Sequence, residues 1–337
     1  MAASREKRLD DQQRLFAMRE HLRVRARPVD ANFEAEIVEA CLGEVQPVID
    51  ANSDKAGEEI IEAIAHMLGV HFEEVRDAKD INRLEQTYLV EQKELGFGQL
   101  AKELADPSVD ALLFQRMNAQ EAAHYRWIAI LNLQQTAARA YWNRPHEIIH
   151  RVAEPPQKRL PLFRHRSDYE NPVERLIDLG AAELAFPRTV YGDLVNERAG
   201  RSALDWDTIE TLKEQFAPTA SLQSIAKATV KFWPGPAFFL TASIQGRKRN
   251  PLEDIALRIH LDGFSLQGRL SGTMFYPNMR VPETSPIFHA HVLDRCVTEI
   301  EDLGRWSTKS GNRLPARRAI SSGMKLGQVT YGLVSLI

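Results

Sequence analysis

Tyr141-Trp142-Asn143-Arg144-Pro145-His146-Glu147-Ile148-Ile149-His150-Arg151-Val152 is the stretch on which the reading of this chain turns. His146 and His150 stand four apart, with a glutamate after the first. On a helix, positions i and i+4 share a face, so both imidazoles can reach one metal ion and Glu147 can lie beside an attacking water. A catalytic zinc site takes three protein ligands and keeps a fourth position open. Glu174, on the next predicted helix at about 172–185, supplies the third. Asp178 is one turn further on the same face, where it can hydrogen-bond a ligand histidine and fix its tautomer. Pro145 disturbs the pattern, because proline is tolerated in a first helical turn but kinks an interior. The helix is therefore expected either to begin near Asn143 or to bend just ahead of the histidines.

Outward from this stretch the texture changes. Asp110–Phe114 and Tyr125–Leu131 are rich in aliphatic and aromatic residues and read as strands, and a helical pattern starts at Gln134 and is closed by Pro155-Pro156. Leu160 to Asn171 reads as a polar connection. Upstream, Phe33, Ile37, Ala40 and Cys41, then Ile60, Ile61, Ile64 and Leu68, recur at helical spacing, with Gly69 as a stop signal. Residues 80–105 read as helical with a break at Gly96-Phe97-Gly98. Downstream, 206–231 gives one or two short helices with Asp205 or Asp207 as N-cap. Pro234-Gly235-Pro236 is the best linker candidate. Beyond it Ala237–Ile244, Ile255–Leu261, Gly272–Tyr276 and Val329–Leu336 read as strands, with one helix at Ser285–Leu303.

The 337 residues are 44% hydrophobic and 26% charged, which suits one or two globular cores and excludes wholesale disorder. No apolar run reaches the length a membrane helix needs, and the charged start lacks the apolar core of a secretory signal, so no membrane partner and a cytoplasmic location are expected. Two cysteines, Cys41 and Cys296, cannot make a disulfide framework. Both read as inert residues on amphipathic helices, with Cys41 as a latent zinc ligand the less favoured alternative. The net charge of −3 favours no partner, but its distribution is uneven: +3 over 1–30, −10 over 31–90 and +5 over 241–337.

The strand 128–131 followed by Asn132, the helix with His146-Glu147-x-x-His150, and Glu174-x-x-x-Asp178-x-x-Ala181-Ala182-Glu183-Leu184-Ala185-Phe186-Pro187 together resemble the ImmA/IrrE family of zinc metallopeptidases. Residues 206–226 resemble that family's helix-turn-helix-like region. Phe275-Tyr276-Pro277 and Val281-Pro282-Glu283-Thr284-Ser285 are similar to the GAF-like module of IrrE-type members. The resemblance spans roughly 90–337. It implies an α+β chain: a helical N-terminal extension (1–88), a mainly helical zincin-like peptidase core with a small sheet (89–200), a helix-turn-helix-like segment (201–233) and an α+β GAF-like sensor domain (234–337).

It also implies one Zn2+ per chain on His146, His150 and Glu174, with Glu147 as general base and Asp178 behind a ligand. The expected activity is that of an endopeptidase that cleaves a helix-turn-helix transcriptional repressor, derepressing a stress, DNA-damage or antiphage programme, with single-stranded DNA as a possible activator. His165, Arg166 and Tyr169 are weak candidates for stabilising the oxyanion. Arg247, Lys248, Arg249, Arg313, Arg317 and Arg318, with Lys309 and Trp306 nearby, offer charge and stacking for a single strand; a solvated basic face is the alternative. Two other readings stand beside the peptidase: a catalytically weak metal-binding sensor or scaffold that binds a repressor or DNA, and a zinc hydrolase of small amides.

Overall fold

A computed structural model describes residues 2–106, 109–116, 125–134, 140–155, 162–165, 171–246, 255–307 and 311–337. The chain divides into two compact units: residues 1–190 with 219–221, and residues 191–218 with 222–337. Both combine helices with a sheet, so the fold is α+β.

The first unit opens with α1 (Ala2–His21), α2 (Phe33–Ala51) and α3 (Gly57–Leu68). Gly69, at φ +65°, ends α3 in the left-handed conformation that glycine adopts most easily. The chain then enters β1 (Val70–Val75), α4 (Ala78–Leu84), a π-helical and a 3₁₀ turn, α5 (Leu100–Leu104), β2 (Val109–Gln115) and β3 (Trp127–Asn132). α6 (Ala140–Ala153), β4 (Leu162–His165) and α7 (Pro172–Ala185) complete it. The sheet runs β1-β3-β2-β4, with β1 parallel to β3 and the other pairs antiparallel.

Every residue of β3 is buried, as expected of a strand covered on both faces. One face places Leu112, Phe114, Ile128 and Ile130 against Tyr88 and Phe97. Arg151 of α6 lies over the ring of Trp127, which shares the other face of β3 with Ala129 and Leu131. β1 and β4 are additions to the sequence reading. β1 has only two fully buried positions, and β4 lies inside the stretch read as a polar connection.

α6 runs through Pro145 from at least Ala140, so it does not begin near Asn143. Pro145 lies inside the helix and cannot donate the backbone hydrogen bond that its turn would otherwise hold, and the two histidines follow downstream of that loss. α7 begins at Pro172, with the Asn171 side chain accepting from the backbone N–H of Val173 and Glu174. α6 and α7 approach closely at Gly180, where a Cβ would come within 3.0 Å of Ile149 Cγ2. Residues 1–88 share this unit: α2 packs on α3, α6 and α7, and α1 packs on α7.

The second unit contains α8 (Asp193–Ala199), α9 (Trp206–Phe216), α10 (Leu222–Phe232), β5 (Ala237–Gln245), β6 (Ala256–Phe264), α11 (Leu266–Leu270), α12 (Pro286–Leu293), β7 (Val297–Asp302), β8 (Arg318–Leu326) and β9 (Val329–Leu336). Its antiparallel sheet has the order β6-β5-β9-β8-β7. The helix expected at 285–303 ends at Leu293, and β7 follows. Asp294, at φ +52°, breaks the helix. Residues 272–276 form no strand, and Cys296 lies exposed ahead of β7 rather than on a helix. α9 and α10 pack on each other, Ile209, Leu212, Phe216, Ile225 and Val230 are buried, and the Trp206 indole donates to the Ser322 carbonyl.

Candidate metal centre

His146 and His150 face Glu174 across the α6–α7 contact. All three side chains are buried, and among the described residues they form the group of donors able to hold a metal ion. The two Nε2 atoms stand 3.1 Å apart, and Glu174 Oε2 lies 3.5 Å from His146 Nε2 and 3.4 Å from His150 Nε2. Donors bound at the ~2.0–2.1 Å distances of a tetrahedral zinc site stand ~3.3 Å from one another. The observed triangle therefore fits a small divalent ion without rearrangement. Glu174 Oε2 makes no hydrogen bond, although it is buried. Such an atom is costly to bury unless a positive group faces it.

The imidazoles are oriented from behind. His146 Nδ1 is 3.0 Å from Asp178 Oδ1, a hydrogen bond that leaves Nε2 turned toward the other donors. His150 Nδ1 is 3.4 Å from Oε1 of buried Glu154, an ion-pair distance longer than an ordinary hydrogen bond. Arg14 of α1 donates to the same Glu154 oxygen at 2.5 Å and lies 3.7 Å from Glu174 Oε1. Glu147 follows His146 on the helix and is 1% exposed.

Burial alone would depress the His150 imidazole, but Glu174 and Glu154 beside it raise it to about 10. Burial would raise the carboxyls of Glu174 and Glu154. Instead, the His150 imidazole with His146 holds Glu174 well below the usual carboxylate range, and His150 with Arg14 lowers Glu154. A proton on the His150 imidazole and the charges of Glu174 and Glu154 thus favour one another. A metal cation replaces that proton when it binds.

The structure brings together His146, His150, Glu174 and Asp178, with Glu147 on the same helix. It adds Glu154 and Arg14. Glu154 is four residues after His150, so helical spacing signals it. Arg14 is distant in sequence and has no local signal. Arg166, Tyr169, Arg247, Lys248, Arg249, Lys309 and the His165 side chain lie outside the described residues.

Arg313, Arg317 and Arg318 are exposed in the second unit. Trp306, expected to stack on a base beside them, is instead 0% exposed and donates its indole N–H to Glu301. Cys41 is fully buried on α2, and burial pushes its thiol up to about 12. Among the described residues it does not join the donor group of His146, His150 and Glu174. Among the described residues no helix is long and apolar enough to cross a membrane.

No family model matches the chain. No curated protein matches it either. Among solved structures, a Mycobacterium tuberculosis transcriptional regulator is similar at 12% identity and a TM-score of 0.35, over 84% of this chain and 82% of that one. At that TM-score the functional reading rests on the site itself.

Proposed function

We propose that this chain is a zinc-dependent endopeptidase. The observation that carries the reading is the buried donor triangle of His146, His150 and Glu174, with Glu147 placed one residue after its first histidine. Zinc, when bound, supplies Lewis-acid polarisation of the scissile carbonyl and of the attacking water. Glu147 takes a proton from that water as its oxygen adds to the carbonyl carbon. It then delivers the proton to the amide nitrogen as the C–N bond breaks. Asp178 and Glu154 hold the two imidazoles in the orientation this needs.

The resemblance to the ImmA/IrrE family supports a helix-turn-helix repressor as the protein substrate. Single-stranded DNA remains part of this reading only as a phosphate ligand of the exposed Arg313, Arg317 and Arg318. The burial of Trp306 removes the stacking partner expected there.

The test is incubation of the zinc-loaded chain with the helix-turn-helix repressor encoded nearest to its gene, read by mass spectrometry of the products. One defined cut is expected from the wild type, and a rate lower by roughly 10²–10⁴ from Glu147→Gln, with zinc content unchanged. Equal cleavage by Glu147→Gln, or a wild-type chain that takes up no zinc, overturns the reading.

A further inference from the structure

We infer that Arg14 and Glu154 are positioning residues of the metal centre, so that α1 is a working part of the site. The inference rests on the metal-centre reading above. His146 has a direct support, Asp178, on the neighbouring helix α7. His150 is supported in two steps: its Nδ1 faces Glu154 Oε1, and that oxygen is held by Arg14 from a third helix. The guanidinium also lies near Glu174 Oε1, while Oε2 of the same carboxylate faces both imidazoles. One cation thus stands behind two of the three donors.

The chemistry of the arrangement is specific. Glu154 is 4% exposed, and a carboxylate so buried needs a cation or several donors beside it. Arg14 supplies charge and a directed N–H together, in the planar fork that suits a carboxylate. With Glu154 held, its carboxylate faces His150 Nδ1 at 3.4 Å and favours an N–H there, which leaves Nε2 toward His146 and Glu174. The cation beside Glu174 Oε1 restrains that carboxylate against rotation, which would carry Oε2 out of the triangle. α1 can impose this from a distance because Leu15 and Met18, which flank the next turn, are buried at 8% and 0% exposure and anchor the helix.

The experiment measures zinc affinity of the full chain by competition with a chromogenic chelator. The variants are Arg14→Met, Arg14→Lys, Glu154→Gln and the double variant Arg14→Met/Glu154→Gln. Partners behind a metal ligand are typically worth about 10- to 100-fold in metal affinity. Arg14→Met and Glu154→Gln are each expected to weaken zinc by that factor. Arg14→Lys, which keeps the charge and loses the fork, should retain part of the affinity. The double variant should be no weaker than Arg14→Met alone, because Arg14 acts on Glu174 directly and on His150 through Glu154.

A second readout is independent of α1 docking. Cobalt(II) in place of zinc should show displaced d–d bands in Glu154→Gln, a variant that leaves Arg14 and the apolar anchors in place. Single variants within twofold of wild type, or a double variant whose loss is the product of the two singles, overturn the inference while leaving the metal centre standing. A wild-type chain that binds no zinc overturns the metal-centre reading itself and removes the inference with it.

Discussion

Glu174 in the first unit and Glu301 in the second are both buried carboxylates, at 6% and 8% exposure, yet their surroundings push them in opposite directions. For Glu174 the penalty of burial is overcome by the imidazoles of His150 and His146, and the group is held ionised. For Glu301 the penalty of burial prevails. Its neighbours are mostly neutral donors, the Trp306 indole and the Ser285 hydroxyl, and its pKa is raised. A structural carboxyl can sit in a core as a hydrogen-bond hub and shed its charge there. A buried carboxylate kept charged beside two imidazoles and an arginine is costly to the fold. Such a cluster is explained by what it holds rather than by what it stabilises.

The comparison breaks most directly at Glu174. Glu174→Ala leaves two imidazoles without their third donor. Zinc affinity should fall by more than the roughly 100-fold that a partner behind a ligand can account for. Elemental mass spectrometry of zinc per chain after dialysis checks this. Zinc retained in Glu174→Ala would place the third donor elsewhere.

A smaller effect separates the two units through their glycines. At Gly323 a Cβ would lie 2.7 Å from Ile287 Cα and 2.9 Å from the Pro286 carbonyl, both backbone atoms of α12, which cannot yield without moving the helix. Gly323→Ala should cost about 1–3 kcal/mol, read as a lowered thermal midpoint. At Gly180 the same Cβ meets the Ile149 side chain at 3.0 Å. That side chain can give by a few tenths of an ångström, so Gly180→Ala should cost less stability. Because Ile149 sits between His146 and His150, its signature should be weakened zinc binding. The reverse pattern, with zinc affinity untouched at Gly180, would mean that the α6–α7 spacing does not set the triangle.

The legibility of this molecule followed the same division. The helix pair that carries the donors could be read because it had local signatures: the four-residue histidine spacing, a helical pattern from about Pro172, and Phe186-Pro187 as its end. β2 and β3 could be read because strands covered on both faces are continuous apolar runs. The second unit was harder. β7 exposes Thr298, Glu299 and Ile300 and alternates weakly, so its run joined the preceding helix in the sequence reading. β8 contains Ser321, Ser322 and Gly323, small residues that suit the close approach of α12 but do not signal a strand. Arg14 was illegible for a different reason, since its partners are more than a hundred residues away and only the folded chain brings them together.

The subtlest separation is the response to pH. In the metal-free chain His150 is raised from 6.5 to about 10, so the stability it contributes is complete below pH 6.5 and is lost as pH climbs toward 10. Glu174 and Glu154 are lowered, so their contribution is complete above pH 4.5 and is lost on acidification below it. Glu301 is raised and has the opposite sign to those two: the protonated form favours the fold, and stability falls as pH rises above 4.5. Glu301→Gln mimics the protonated carboxyl and keeps an acceptor for Trp306. It should therefore flatten the decline above pH 4.5 and raise the thermal midpoint at pH 7 relative to wild type. Zinc reverses the sign at the other site, because it binds the unprotonated imidazole and its stabilisation grows as proton competition fades. Thermal midpoints recorded from pH 5 to 9 should thus show the gap between zinc-loaded and metal-free protein widening upward in pH, in wild type and Glu301→Gln alike. A gap that narrows with rising pH would mean that zinc does not displace a proton from His150, and the contrast between the two buried glutamates would lose its functional meaning.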